Sequence, residues 1–154
     1  MKGIIMAGGA GSRLRPLTCD LPKPMVPVMN RPVMQYSIEL FKKYGINDIG
    51  VTLQYLPGMI QDYFGDGRQD SINLHYFIED KPLGTAGSVK NAQEILDDTF
   101  IVLSGDALTN IDLEKAVEFH RKNQSIATLV LKKVEIPLEY GVVMTHEDGR
   151  IVRF

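Results

Sequence analysis

An apolar strand that leads directly into a glycine-rich, basic loop is the feature that most constrains how this chain folds. The run from Lys2 to Ala7 is short, apolar and bounded by glycines, which is typical of a strand buried in a parallel sheet. Gly8, Gly9 and Gly11 follow this strand. Glycines let the backbone turn with positive φ and present unshielded N–H donors to a ligand. The combination predicts a phosphate-binding loop.

Two cations in the same stretch, Arg13 and Lys23, add positive charge at two different reaches. Arginine offers a planar fork that suits phosphate oxygens, whereas lysine acts as a flexible point charge. The dinucleotide fingerprint G-x-G-x-x-G needs a third glycine where the chain has Leu14, and the Walker A sequence Gly-Lys-Ser/Thr does not occur. The loop therefore matches neither of these two common phosphate-binding classes.

Apolar runs and amphipathic stretches alternate along the chain, which predicts an α/β domain with a mainly parallel sheet. Further strands are predicted at residues 48–53, 72–78, 99–104 and 126–134, and helices between Asn30 and Gly45 and at residues 57–64, 84–96 and 112–123. The end of the chain differs, because Asp148-Gly149 between two apolar runs, 142–144 and 151–154, is a strong hairpin signal.

The composition narrows the functional classes. With 154 residues, 44% of them hydrophobic, the chain fits one soluble domain with a real core. A net charge of −2 argues against bulk nucleic-acid binding, so phosphate chemistry has to rest on a local basic site. No apolar run approaches the roughly 20 residues that cross a bilayer, and the N-terminal apolar run is too short for a signal peptide. The short apolar runs therefore predict that the protein has no membrane partner. The single cysteine, Cys19, excludes an internal disulfide, which favours the reducing cytoplasm as its location.

A long ordered motif carries a family resemblance. Gly-Gly-x-Gly-Ser-Arg-Leu-x-Pro-Leu-Thr spans residues 8–18, and Pro-Lys-Pro-Met follows at residues 22–25. This pattern resembles the signature of the sugar-1-phosphate nucleotidyltransferases, also called NDP-sugar pyrophosphorylases, and most of all their mannose-1-phosphate guanylyltransferases. The likeness covers essentially the whole chain but only the first part of the family's catalytic domain. It implies a Rossmann-like three-layer fold, truncated and ending in a β-hairpin, in which residues 1–154 form the nucleotide-binding part and the sugar-binding remainder is absent.

The resemblance implies an enzyme that transfers a nucleotidyl group from a nucleoside triphosphate to a sugar 1-phosphate, giving an NDP-sugar and pyrophosphate. GTP and mannose 1-phosphate are the expected substrates, and Mg²⁺ is the expected cofactor. Since both reacting groups are negatively charged, catalysis needs cations and in-line alignment more than a general base. By the same resemblance, Arg13 holds the outgoing pyrophosphate and Lys23 contacts the α-phosphate or the incoming phosphate. The nucleotide-binding loop comprises Ala7, Gly8, Gly9, Gly11 and Ser12.

Asp106 is the candidate metal ligand and the third candidate catalytic residue. It follows the predicted strand at 99–104, and open α/β sheets bind ligands just beyond the carboxyl ends of their strands. The alternative is that Asp106 has a purely structural role as a turn residue after Ser104 and Gly105. Resemblance to the family's Gly-Asp metal-binding turn favours the ligand. Because the family's second metal-binding aspartate lies further downstream, we expect Asp106 to bind Mg²⁺ together with the phosphates of the nucleotide.

The segment from Glu79 to Gly87 leaves a predicted strand and enters a predicted helix. Its glycines permit the close approach of a flat base, and Glu79 can accept hydrogen bonds from ring N–H and amino donors. The resemblance assigns base recognition to Glu79, Pro82, Gly84 and Thr85. A glutamate suits guanine, which offers two adjacent donors, better than thymine or uracil, which offer one.

Three alternatives stay open at the level of sequence. The first is a non-catalytic nucleotide-binding or regulatory module of the same fold. The second is a thymidylyl-, uridylyl- or adenylyltransferase for glucose 1-phosphate, and the third is a cytidylyltransferase for an alcohol such as phosphocholine. Without a sugar-binding region, this chain alone is expected to bind a nucleoside triphosphate and to turn over poorly. The apolar strand at its end predicts an exposed sheet edge that favours self-association.

Overall fold

The computed structural model describes residues 1–136 and 141–153 and divides into two units, Met1–Asp112 and Leu113–Phe154. In chain order the strands and helices are β1 (Lys2–Met6), β2 (Pro27–Val28), β3 (Arg31–Pro32), α1 (Val33–Lys43), β4 (Asp48–Leu53), α2 (Pro57–Phe64), β5 (Asn73–Ile78), α3 (Gly84–Asn91), β6 (Phe100–Ser104), α4 (Leu113–Lys122), β7 (Met144–Thr145) and β8 (Ile151–Arg153). No helix within the described ranges has the length and apolar character needed to cross a membrane.

A four-stranded sheet of order β5-β4-β1-β6 lies at the centre of the first unit. All three pairings are parallel, and Gly3 of β1 lies between Ile49 of β4 and Ile101 of β6. Ile4 and Ile5 are fully buried because β1 is covered by a strand on each side and by side chains on both faces. The predicted α/β fold with a parallel sheet is confirmed.

Two glycines show how closely the helices pack on the two faces of this sheet. A Cβ at Gly3 would lie 2.8 Å from the Phe41 ring of α1. A Cβ at Gly50 would lie 2.7 Å from Ile4 Cδ1 and 2.8 Å from Ile95 Cδ1. Because neighbouring residues of a strand point to opposite faces, Gly3 and Ile4 place α1 on one face and the segment around Ile95 on the other. The result is a three-layer arrangement.

Two predicted elements differ from the structure. The helix expected at 84–96 ends as an α-helix at Asn91, and a 3₁₀ turn at Gln93–Ile95 replaces its last part. The strand expected at 126–134 is wrong, since these residues have no regular structure. A strand needs a neighbour to satisfy its backbone hydrogen bonds, and none of the described strands pairs with this segment. Its apolar pattern is present, but the segment pairs with no strand of the described residues.

The second unit contains α4 and the predicted hairpin. β7 pairs with β8 in antiparallel fashion, and the Gly149 N–H donates to the His146 carbonyl at 3.0 Å. Gly149 has a φ of 87°, and the Arg150 N–H donates to Asp148 Oδ1 at 3.0 Å. The Asp-Gly signal therefore forms the turn that the sequence predicts. Phe154, where the predicted strand ends, lies outside the described residues.

Candidate functional site

A pocket of about 320 Å³ opens at the carboxyl ends of β1, β4 and β6, entirely within the first unit. This is the edge at which open parallel sheets bind their ligands. Its lining combines the glycine loop, the start of α3 and the end of β6: Met6, Ala7, Gly8, Gly9, Lys23, Pro24, Gln54, Pro82, Gly84, Thr85, Ser88, Ser104 and Asp106. Three separate segments that the sequence analysis singled out thus meet in one place.

Neighbouring strands fix the start of the glycine loop. The Ala7 N–H donates to the Thr52 carbonyl of β4 at 2.9 Å, and the Gly105 N–H donates to the Met6 carbonyl at 2.8 Å. Further along the loop, Gly11 adopts a left-handed φ of 61°, which favours glycine. The sheet therefore holds the first residues of the loop at the mouth of the pocket.

Thr18 closes the loop upon itself. This fully buried side chain donates from Oγ1 to the Gly11 carbonyl at 2.8 Å. A Cβ on Gly11 would lie 3.0 Å from Lys23 Cβ and 3.1 Å from Thr18 Cγ2. The absence of a side chain at Gly11 leaves room for the side chains of Lys23 and Thr18 against the glycine loop.

Lys23 and Asp106 form an ion pair inside the pocket, with 2.5 Å between Nζ and Oδ2. The Ser104 hydroxyl donates to the other carboxylate oxygen, Oδ1. Partial burial acts to raise the pKa of Asp106, but the hydrogen bonds from Lys23 and Ser104 and the charge of Lys23 outweigh it and lower that pKa. Asp106 is therefore an ionised carboxylate at neutral pH.

Asp106 is the only acidic side chain among the described residues that line this pocket. Nowhere in residues 1–136 and 141–153 do three or more His, Cys, Asp or Glu side chains form a cluster able to hold a metal ion. Mg²⁺ is usually bound through one or two carboxylates together with substrate phosphates and water. The single ionised oxygen donor fits a Mg²⁺ ion that the phosphates of a nucleotide help to hold.

Arg13 and Ser12 lie in the exposed 3₁₀ turn Ser12–Leu14 and do not line the pocket. Within the described part of the chain, the Arg13 guanidinium has no ion pair with a carboxylate. An exposed cation next to a glycine loop is free to meet phosphate oxygens that extend beyond the pocket. The structure thus brings Lys23 and Asp106 together in the pocket, whereas Arg13 lies outside the pocket.

The predicted base-binding residues divide in the same way. Pro82, Gly84 and Thr85 line the pocket, whereas Glu79 does not and is only 6% exposed. The Leu83 N–H donates to Glu79 Oε2 at 3.4 Å, so this carboxylate helps to shape the turn before α3. Glu79 Oε1 is buried without a hydrogen-bond partner among the described residues. A buried acceptor that lacks a donor is costly, which marks Oε1 as an atom that a ligand donor could satisfy.

Two lining residues, Gln54 and Ser88, are absent from the sequence analysis. Gln54 directly follows β4, and a Cβ at Gly8 would lie 3.4 Å from its Cβ. Ser88 lies one turn into α3 and donates from Oγ to the Gly84 carbonyl at 2.8 Å. The position of Gln54, immediately after a predicted parallel strand, is the one signal that could have identified it.

Comparisons with known proteins find relatives in both sequence and structure. The nucleotidyl transferase family model matches residues 2–154. Over its full length the chain is 41% identical to a UTP–glucose-1-phosphate uridylyltransferase of Synechocystis sp. and 42% identical to a mannose-1-phosphate guanyltransferase of Yarrowia lipolytica. It spans 43% and 44% of those two proteins. The crystal structure of HddC from Yersinia pseudotuberculosis complexed with GMP-PN is similar at a TM-score of 0.76 and 28% identity, covering 97% of this chain and 66% of that one.

Proposed function

The chain belongs to the nucleotidyl transferase family, and on this basis we propose that residues 1–154 form the nucleotide-binding part of a guanylyltransferase that converts GTP and mannose 1-phosphate into GDP-mannose and pyrophosphate. Its curated relatives include sugar-1-phosphate nucleotidyltransferases for both guanine and uracil nucleotides. In this proposal the protein works in the cytoplasm and has no nucleic-acid or membrane partner. The observation that carries the proposal is the single pocket in which the glycine loop, Lys23, Asp106 and the start of α3 meet.

The phosphate end of the pocket performs the charge neutralisation that the reaction requires. The proposed roles are hydrogen bonds from the loop amides of Gly8 and Gly9 to the triphosphate, contact of Lys23 with the α-phosphate, and binding of the leaving pyrophosphate by the exposed Arg13. Asp106 would hold Mg²⁺, which supplies further neutralisation of the phosphate charge when bound. Fixed cations lower the repulsion between the two phosphates and align them without a general base.

At the other end, Pro82, Gly84 and Thr85 would contact the base, and Glu79 Oε1 would accept a hydrogen bond from it. The unpartnered buried oxygen supports this role, because guanine offers adjacent N–H and amino donors. A uridylyltransferase for glucose 1-phosphate is the second candidate, since a relative with that name is nearly as similar as the guanyltransferase. Base selectivity separates the two.

The phosphate roles are tested with Arg13→Ala and with Arg15→Ala as a matched control from the same exposed loop. A charge-assisted hydrogen bond contributes about 1.5 to 3 kcal/mol, so Arg13→Ala should weaken GTP binding by roughly 10- to 100-fold and guanosine binding hardly at all. Arg15→Ala should leave both unchanged. Calorimetric titration with both ligands measures this. Equal losses of GTP and guanosine in Arg13→Ala would place Arg13 away from the phosphates.

Base selection is tested with Glu79→Gln, which keeps an oxygen able to accept the Leu83 N–H but replaces one acceptor with an amide donor. If Glu79 accepts guanine donors, the variant should lose GTP affinity relative to UTP and dTTP, because an unpaired polar group in a binding site rejects a ligand strongly. Binding of all five common triphosphates to both proteins decides the matter. The same ranking in the variant and the unchanged chain would remove Glu79 from base recognition.

Turnover tests the assignment of residues 1–154 to the nucleotide-binding part. Orientation of the acceptor contributes about 7 to 11 kcal/mol to well-aligned reactions, so residues 1–154 alone, if they form only the proposed nucleotide-binding part, should release no detectable pyrophosphate from GTP plus mannose 1-phosphate. A longer chain that includes the region found in the relatives should be active. Strong turnover by the 154-residue chain would show that the acceptor site lies within it.

A further inference from the structure

The cation that contacts Asp106 in this structure is a lysine of the protein itself. Lys23 Nζ lies 2.5 Å from Asp106 Oδ2, and the Ser104 hydroxyl donates to Oδ1, so both carboxylate oxygens already have partners. The two side chains are partly exposed to the pocket, at 33% for Lys23 and 27% for Asp106. A ligand that enters the pocket therefore reaches this ion pair directly.

We propose that Lys23 is a resident counter-ion of Asp106 that a divalent cation must displace, so that binding of metal and triphosphate transfers Lys23 from the carboxylate to a phosphate. This exchange rests on the proposed function, which makes Asp106 the metal ligand and Lys23 a phosphate ligand. It adds a coupling between them: in the free protein the two residues neutralise each other, and neither is available until the other finds a new partner.

The two cations compete for Oδ2. Mg²⁺ binds oxygen at about 2.0 to 2.1 Å, so an ion on Oδ2 would lie close to an ammonium group that contacts the same oxygen at 2.5 Å. The two positive charges would also repel each other across a pocket that is only partly open to water. The Lys23 ammonium consequently has to move when the metal binds.

The backbone of Lys23 stays in place while its side chain moves. Lys23 begins a 3₁₀ turn between Pro22 and Pro24, and the Met25 N–H donates to the Pro22 carbonyl at 2.8 Å. Proline fixes φ on both sides of the lysine, whereas the lysine stem has four rotatable carbon bonds. The ammonium can therefore swing from Asp106 toward phosphates on the glycine loop without any change of fold.

The exchange predicts a positive coupling between metal and triphosphate. Triphosphate oxygens offer Lys23 a new partner and so release Asp106 for the metal, and by reciprocity the metal releases Lys23 for the triphosphate. A metal ion alone meets an occupied carboxylate and binds weakly. Removal of the lysine charge should strengthen binding of the metal alone, even though it should weaken binding of the triphosphate.

The test uses Mn²⁺ alone as the probe, because it shares the oxygen preference of Mg²⁺ and its free form is measured by electron paramagnetic resonance. Lys23→Gln should bind Mn²⁺ at least about 5-fold more tightly than the unchanged chain. The matched control is Lys2→Gln, which removes a lysine paired at 2.9 Å with a different aspartate, Asp97. It should bind Mn²⁺ as the unchanged chain does. Equal or weaker Mn²⁺ binding by folded Lys23→Gln overturns the exchange.

A second measurement needs no variant. Lysine ammonium resonances of the unchanged chain are followed by NMR during a Mg²⁺ titration. The resonance of one ion-paired lysine should lose its protection against exchange with water, while that of Lys2 stays constant. No change in any lysine resonance at saturating Mg²⁺ also overturns the exchange. Binding of a non-hydrolysable GTP analogue is measured separately in the presence of Mg²⁺. Failure of that binding contradicts the proposed function, whereas the metal titrations still decide the exchange.

Discussion

In the first unit Ile4 and Ile5 of the central strand and Phe41 of α1 are fully buried, whereas in the second unit Ile126 is fully exposed and Val130 and Leu131 are more than half exposed. Both units carry apolar runs of the kind that predicts strands. The difference lies in what each run meets. β1 has a parallel neighbour on each side, but no described strand pairs with residues 126–134.

This contrast shows that an apolar pattern becomes a buried strand only when another strand accepts its backbone hydrogen bonds. The apolar pattern shows which face of a segment can be buried. Pairing with a neighbouring strand determines whether that face is buried. The first unit accordingly contains both the sheet and the whole of the candidate pocket. Stability in the first unit should therefore respond strongly to changes that the second unit tolerates.

The largest expected effect is that of Phe41→Ala. Phe41 is 0% exposed, and its ring packs against Gly3 of the central strand, so its removal leaves a cavity and should lower the free energy of unfolding by about 3 to 5 kcal/mol. The same change at Phe119 of α4, which is 45% exposed, should cost less than about 1 kcal/mol. Urea unfolding of both variants measures the two costs. Similar costs at the two positions would contradict the contrast between the units.

A smaller effect is expected for Tyr76→Phe in β5. The Tyr76 hydroxyl donates to the Gly65 carbonyl at 2.8 Å, at the end of α2, and its loss should cost about 1 kcal/mol at neutral pH. Tyr63→Phe is the matched control, because Tyr63 is 55% exposed and has no hydroxyl hydrogen bond among those that the structure describes. Thermal unfolding compares them. No difference between the two variants would show that the Gly65 contact contributes nothing to stability.

Ionisation of the same tyrosine should lower the stability of the first unit at alkaline pH. Burial, and next the nearby charge of Asp66, raise the pKa of Tyr76 from its ordinary value of 10.0 to about 12. A raised folded-state pKa means that the stabilisation is fully present below pH 10.0 and is lost as the pH rises toward about 12. The unchanged chain should lose stability more steeply than Tyr76→Phe across this range. Parallel pH profiles for the two proteins would assign the alkaline loss to other groups.

The sequence predicted most of the fold wherever a local signal and a neighbour agreed. Strand β4 lies at Asp48–Leu53 and helix α2 at Pro57–Phe64, as expected, since apolar runs end there at clear turn residues. Residues 126–134, which were wrongly predicted to form a strand, have the same apolar signal but pair with no described strand. Local periodicity contains no information about distant partners, which is why the sequence could not separate these cases.

The site could be predicted only in part for a similar reason. The glycine motif and the Gly-Asp turn led to Lys23 and Asp106, which the structure brings together. Their direct ion pair was not foreseen, because their contact depends on the packing of β1 against β6 and not on either motif. Gln54 was missed because a lone glutamine after a strand has no motif of its own. The resemblance assigned base recognition to Glu79, and the structure adds that its carboxylate is buried in the turn before α3.

The smallest expected effect on stability belongs to the second unit and also tests self-association. Val152 of β8 is 57% exposed, and β8 pairs only with β7 among the described strands, which leaves its other edge open. Val152→Lys should change the free energy of unfolding by no more than about 0.5 kcal/mol. A lysine on an exposed strand should nevertheless reduce self-association, because edge charges oppose strand pairing between molecules.

Ile126→Lys separates edge pairing from general hydrophobic contact. Ile126 is at least as exposed as Val152, but it lies in a segment without a strand, so a lysine there removes a similar apolar group and leaves the open edge unchanged. Sedimentation velocity over a concentration series should show weaker association for Val152→Lys and little change for Ile126→Lys. An equal reduction in both would assign the association to exposed apolar residues in general. A monomeric unchanged chain at every concentration would show that the open edge of β8 does not recruit a second copy.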